Sequence, residues 1–214
     1  MKFQFKIQPF QTEAAESVVK VFAGQPKHGE SKYRRDIGSE KKLSEDEKIA
    51  RRGYIPISYS ALSEEEKRQV EEEYEAAYRN ADVELSKEQL LKNIRAVQTA
   101  NNIKYSPELV AGLGVASLDI EMETGTGKTY VYIKTMFELH KTYGWSKFIV
   151  VVPSIAIREG VKKSFEITQE HFMELYGMKA RFFVYNSSNL HQLDEFSQNS
   201  GINVMIINTQ AFNT

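Results

Sequence analysis

Cysteine is absent from the 214 residues of this chain. Disulfides, thiol catalysis and cysteine-ligated zinc are therefore excluded. Histidine is sparse: His28, His140, His171 and His191 are scattered and share no ligand spacing, so no metal site built from side chains is expected. Long apolar runs are lacking too. The longest, Phe148 to Val152, is far too short to span a bilayer, and the N-terminus shows no apolar signal segment. The expectation is a cytoplasmic protein with no membrane partner. No charge of one sign dominates either, since the formal net charge is -1. Any contact with DNA must come from a local groove rather than from a global basic field. What remains is an ordinary globular balance, 41% hydrophobic and 27% charged, enough for one substantial core and a satellite.

The most informative stretch is Leu118 to Thr129, Leu-Asp-Ile-Glu-Met-Glu-Thr-Gly-Thr-Gly-Lys-Thr. Leu118, Ile120 and Met122 predict a short strand, the loop holds Gly125 and Gly127, and a helix opens at Lys128 and Thr129. That order is what a phosphate-binding P-loop requires. Thr124, Gly125, Thr126 and Gly127 supply a cradle whose backbone N–H groups turn inward, and the helix N-terminus adds unpaired donors. Lys128 would reach the β- and γ-phosphates, and the Thr129 hydroxyl would sit on Mg²⁺. Met122 stands where the usual first glycine would be. The alternative is a glycine-rich turn before an ordinary helix. Asp119 and Glu121 raise a second expectation. In a strand covered on both faces they would be buried, so at least one should pair with a basic side chain or lie at an open sheet face.

The flanks predict the remaining organisation. Phe3, Phe5 and Ile7 alternate with polar residues, as in a half-buried extended segment. Pro9 starts a helix with Phe10, Ala14, Val18, Val21 and Phe22 on one stripe, ending at Gly24. Residues 1–24 thus form one unit, and Gln11 lies in the first turn of its helix. Residues 25–105 carry dense mixed charge and read as an inserted, mostly helical arm, with Pro26 to Ser39 mobile. Its capping boxes pair Ser44 with Glu47, Ser63 with Glu66 and Ser86 with Gln89. The second should open a helix with Val70, Tyr74, Ala77 and Tyr78 on one face, and the third a helix with Leu90, Leu91, Ile94 and Val97. The arm is either a solvated decoration or a docking surface for a partner chain or DNA. In residues 106–214, Ser106-Pro107-Glu108 predicts a short helix, and Tyr130 to Lys141 a longer one ended by Gly144. Strands follow at 148–152, 181–185 and 202–207. Helical stretches at Ala156–Phe165 and Glu170–Tyr176 separate the first two. Phe148 to Val152 is continuously apolar, as in a strand covered on both faces. Alternating strands and helices after a P-loop imply an α/β domain with a mainly parallel sheet.

Beyond the P-loop, Phe-Ile-Val-Val-Val-Pro-Ser-Ile-Ala-Ile-Arg-Glu-Gly at 148–160 resembles the Ia motif of superfamily 2 helicases. That resemblance implies a RecA-like domain in which Ser154 touches a nucleic-acid backbone. Asn208-Thr209-Gln210 resembles the second such contact, and Gln8 to Gln11 the adenine-reading segment, which implies ATP as the nucleotide, read by Gln11. Together with Lys-Thr-Met-Phe-Glu-Leu at 134–139, these motifs resemble the restriction (Res) subunit of type III restriction–modification enzymes. The resemblance covers the whole chain, most specifically Asp119 to Gly160. It implies an ATP-driven motor with Lys128 and Thr129 in the catalytic cradle. The motor would act on double-stranded DNA with a site-recognising methyltransferase (Mod) subunit and cleave unmodified DNA.

Such an enzyme also needs an Asp-Glu box, a second motor lobe with arginine fingers and a carboxylate nuclease domain. None is recognised within residues 1–214, so the expectation is an incomplete first motor lobe that does not hydrolyse ATP by itself. Asp194-Glu195 imitates the box, but no buried strand precedes it. Another superfamily 2 helicase or remodeller, and a non-catalytic nucleotide-binding module, remain the alternatives.

Overall fold

The computed structural model describes residues 5–34, 63, 65, 76–112, 114–187 and 191–212. The expected capping boxes at Ser44 and Ser63, and the positions Val70 and Tyr74, lie wholly or partly outside the described residues.

Helix α1 spans Pro9–Val21, with proline in its first turn and Gln8 as an N-cap that makes no side-chain bond. Its C-terminal carbonyls need partners once intrahelical donors run out. Asn93 supplies them, its Nδ2 donating to Val21 O at 3.0 Å and Ala23 O at 2.9 Å. Asn93 belongs to α2, Lys87–Ala100, where the Ser86 side chain accepts from Gln89 N at 3.2 Å. Only half of the predicted capping box forms, because the Gln89 amide turns to Asn93 Oδ1 at 2.9 Å instead. Val21, Leu90 and Ile94 are buried together, with Leu109 and Leu118 against them. Helix α2 therefore packs on α1 through an apolar seam.

Two strands, β1 (Ser31–Arg34) and β2 (Ala76–Arg79), pair antiparallel, with Tyr33 opposite Ala77 and Lys32 opposite Tyr78. This corrects two expectations. Ala77 and Tyr78 are not on a helix, and part of the stretch expected to be mobile is ordered in a ladder. A further predicted helix, at Ser106-Pro107-Glu108, is also absent. The backbone there is engaged by α2: Gln98 Oε1 accepts from Ser106 N at 2.9 Å, and Arg95 donates to Ser106 O at 3.0 Å and Pro107 O at 2.6 Å.

The larger layer begins with α3, Lys128–Tyr143. Gly144 ends it at φ +80°, where an added Cβ would lie 1.9 Å from His28 O. No other residue fits that position. Three parallel strands follow, β3 (Lys147–Val152), β4 (Arg181–Val184) and β5 (Asn203–Asn208), in the order β3-β5-β4. Helix α4, Ile155–Tyr176, crosses the sheet. The sequence predicted two helices here. The helix runs through instead, and Thr168, buried in the middle of the expected break, keeps its hydroxyl satisfied within the helix on Ser164 O, 2.8 Å away. The core joins Ile133, Met136 and Phe137 of α3 with Val161, Phe165 and Phe172 of α4 and Val204 and Ile206 of β5. Phe137, Phe172 and Tyr176 stack across the helix pair. Helix α5 is His191–Gln198, and a 3-10 turn at Thr209–Phe212 follows β5.

Two sheet expectations are corrected. Strand β3 is not covered on both faces, since Ile149 and Val151 are 56% and 53% exposed. Leu118 to Met122 joins no strand ladder among the described residues. Asp119 and Glu121 accordingly face solvent, and the buried-carboxylate problem does not arise. Asp194 and Glu195 lie on α5, with Glu195 Oε1 3.5 Å from His191 Nδ1. Among the described residues, no three metal-ligating side chains converge.

Candidate nucleotide loop and nucleic-acid interface

Residues 123–129 fold back on Glu123. Its carbonyl accepts from Thr126 Oγ1 at 2.7 Å and from Lys128 Nζ at 2.8 Å. Gly125 and Gly127 take φ of +83° and +88°, a region that L side chains rarely adopt. Gly127 is also the N-cap of α3, which has no acidic residue in its first turn. The helix thus presents its first N–H groups and its partial positive charge without local neutralisation. Thr124, Gly125 and Lys128 are exposed, and Thr126, Gly127 and Thr129 are half-buried. This donor set suits a polyphosphate: two left-handed glycines, a free helix N-terminus, one ammonium and a threonine hydroxyl in the first turn.

The N-terminal helix reaches this loop. Gln11 Nε2 donates to Thr126 O at 2.9 Å. A Cβ on Gly127 would lie 2.6 Å from the same nitrogen, so a side chain there would push the Gln11 amide aside, while the dihedral itself calls for glycine. Nearly two turns along α3, Lys134 is 5% exposed and donates to Thr12 Oγ1 at 2.9 Å. Tyr130, next after Thr129, bonds to His171 Nε2 at 2.8 Å, and Phe5 packs over both rings. Burial lowers the His171 pKa, which favours the neutral ring. Sequence reasoning missed Thr12, Lys134, Tyr130 and His171. Lys134 left one signal, a cation inside the apolar stripe of α3.

The expected backbone contacts gather at the C-terminal end of the sheet. In the parallel register Val152 lies beside Asn208, so the loops after β3 and β5 leave at one level. Ser154 caps α4, accepting from Ile157 N at 3.3 Å, which leaves its own hydroxyl proton able to donate outward. Thr209 Oγ1 reaches Pro153 O at 3.4 Å, and the Asn208 side chain bonds to Arg158 at 3.1 Å. Ser154, Asn208 and Thr209 therefore form one group, and Gln11 with 124–129 another. Among the described residues, no helix is long and apolar enough to cross a membrane.

A family profile described as "Type III restriction enzyme, res subunit" matches residues 4–214. The chain belongs to the type III restriction enzyme Res subunit family. Its α/β fold is accordingly the RecA-like, helicase-type domain of that family. Among similar proteins, the Res subunit of the type III enzyme EcoP15I from Escherichia coli is 39% identical over 110 residues, covering 50% of this chain and 11% of that protein. The Res subunit of EcoPI, from Escherichia phage P1, is 36% identical over 110 residues, with the same two shares of 50% and 11%. The Res subunit of StyLTI, from Salmonella typhimurium, is 49% identical over 63 residues, 28% of this chain and 6% of that protein. The matched segments thus span at most 11% of these Res subunits.

Proposed function

We propose that this chain forms the ATP-binding, DNA-gripping front of the motor of a cytoplasmic type III restriction enzyme, working on double-stranded DNA with a methylating, site-recognising Mod subunit. The contact that carries the reading is Gln11 to Thr126. It places a glutamine amide, able to pair with the donor and acceptor edge of adenine, against the loop that would hold the phosphates. Gly125, Thr126 and Gly127 would receive the phosphate oxygens on backbone N–H groups, and Lys128 would exchange its bond to Glu123 O for the β- and γ-phosphates. Thr129 would ligate Mg²⁺, which supplies charge neutralisation of the transferring phosphoryl group when bound. Ser154 and the Asn208–Thr209 turn would meet the DNA backbone, in contacts that position without reading sequence.

The test uses the full-length subunit with its partner. Ser154→Ala should lower DNA-stimulated ATPase and leave ATP binding without DNA unchanged, with the recognition sequence unaltered. A variant with an altered recognition sequence would remove the backbone assignment. Normal DNA stimulation in both Ser154→Ala and Thr209→Ala would remove the interface.

A further inference from the structure

Arg158 lies in the 148–160 segment without a role of its own there, yet it joins the two loops at the C-terminal end of the sheet. It lies one turn into α4, four residues after the capping Ser154. Its Nη1 donates to Asn208 Oδ1 at 3.1 Å, across the gap between α4 and the end of β5. Its Nε and Nη2 both donate to Glu159 Oε1, at 3.3 and 3.2 Å. The guanidinium side chain is only 20% exposed, whereas that of Glu159 is 53% exposed. Asn208 is 5% exposed, so its amide oxygen depends on this bond in place of water. A second link between the loops, Thr209 Oγ1 to Pro153 O, is long, at 3.4 Å, and lies in solvent. Arg158 is the charged tie between the start of α4 and the end of β5, alongside that weak bond and the strand ladder.

We propose that Arg158 is a positioning residue for the DNA-contact loops, holding the Ser154 cap and the Asn208–Thr209 turn in fixed relation through Asn208. This rests on the reading of those loops as the DNA interface. The guanidinium faces inward and has a carboxylate beside it, so it holds the loops and does not itself neutralise a phosphate. The two roles have different signatures. Each direct phosphate contact adds roughly one unit to the slope of log affinity against log salt, and a positioning residue adds none.

The experiment measures DNA affinity of the assembled enzyme across a potassium chloride series for wild type, Arg158→Ala, Asn208→Ala and the double variant. Arg158→Met, which keeps the aliphatic stem, guards against a loss caused by misfolding. Each single change should weaken binding on the order of tenfold, as for a charge-assisted bond, and the double variant should be no weaker than either. The salt slope should stay at the wild-type value. Amide exchange at Ile157 and at residues 209–211 should quicken together in Arg158→Met. A slope reduced by about one, or additive losses in the double variant, overturns the proposal. Quickened exchange at both loops with unchanged DNA affinity would uphold the link between the loops but overturn their assignment to DNA, which Ser154→Ala tests separately.

Discussion

Gln11 and Thr126 are 115 positions apart, yet the glutamine amide donates to the threonine carbonyl at 2.9 Å. One bond thus joins the first turn of α1 to the turn that precedes Lys128. The amide proposed to read a base is also a support of the glycine loop, and its removal would act on both.

Gln11→Ala should therefore weaken ATP more than GTP, measured as dissociation constants of the full-length subunit. Equal losses for both would leave the glutamine with its structural bond only. Gly127→Ala should abolish nucleotide binding, because its Cβ meets Gln11 Nε2 and its φ is +88°. Adding Gln11→Ala relieves the first fault and not the second, which costs ~1–2 kcal/mol. The double variant should still bind less tightly than Gln11→Ala alone, and equal binding by the two would show that the dihedral is unimportant.

Lys128 is exposed, and its ammonium is held by Glu123 O within the loop itself. Lys128→Ala should abolish ATP turnover by the assembled enzyme while its melting temperature stays within a few degrees of wild type, as for an exposed site worth ~0.5 kcal/mol. A folded variant with normal turnover would end the assignment.

Asn80 fastens the residues after β2 to the start of the sheet. Its Oδ1 accepts from Ser146 N at 2.7 Å and Lys147 N at 2.8 Å, and its Nδ2 donates to Lys147 O at 2.8 Å. Asn80→Ala leaves three backbone groups to find other partners, at a cost of ~2–4 kcal/mol in urea unfolding. Asn80→Asp keeps the two acceptor contacts and should lose less. Equal losses for the two variants would mean that the acceptor contacts contribute nothing.

Lys147 sits between the rings of Tyr78 and Phe196, and burial lowers its pKa to about 8, partly opposed by Glu30. Between that value and the ordinary 10.5, the unfolded chain holds a proton that the folded one has released. The contribution of this lysine therefore makes stability rise with pH across that window and stay level below it. Urea midpoints at pH 7.5 and 9.5 should show the rise in wild type and a smaller one in Lys147→Met. An identical rise in both would assign it to other groups.

The glycine loop and the Ser86 cap were legible because their rules are local. Gly125, Gly127 and Gly144 each stand where the backbone turns left-handed, and Ser86 accepts the N–H that its cap predicts. The pairing of β1 with β2 was not legible. Tyr78 follows Tyr74 at helical spacing, and only the ladder to Lys32, 46 positions earlier, decides otherwise. Apolar content also misled. Phe148 to Val152 reads as a doubly buried strand, but the structure leaves Ile149 and Val151 in solvent. Within the site, Arg158 was invisible because its partner comes from another strand, and chain order gives no hint of that meeting.

Helix α4 carries a mechanical consequence. It is unbroken for 22 residues, with the Ser154 cap at one end and His171 near the other, bonded to the tyrosine that follows Thr129. Seventeen steps separate Ser154 from His171, ~25 Å at the helical rise. A tilt of ~5° pivoting at the Ser154 end would carry the His171 end ~2 Å over that length. A break in the helix would have absorbed such a tilt, and none interrupts residues 155–176. One unbroken helix thus links the end of the sheet to the start of α3 beside the glycine loop, so a tilt at one arm displaces the other.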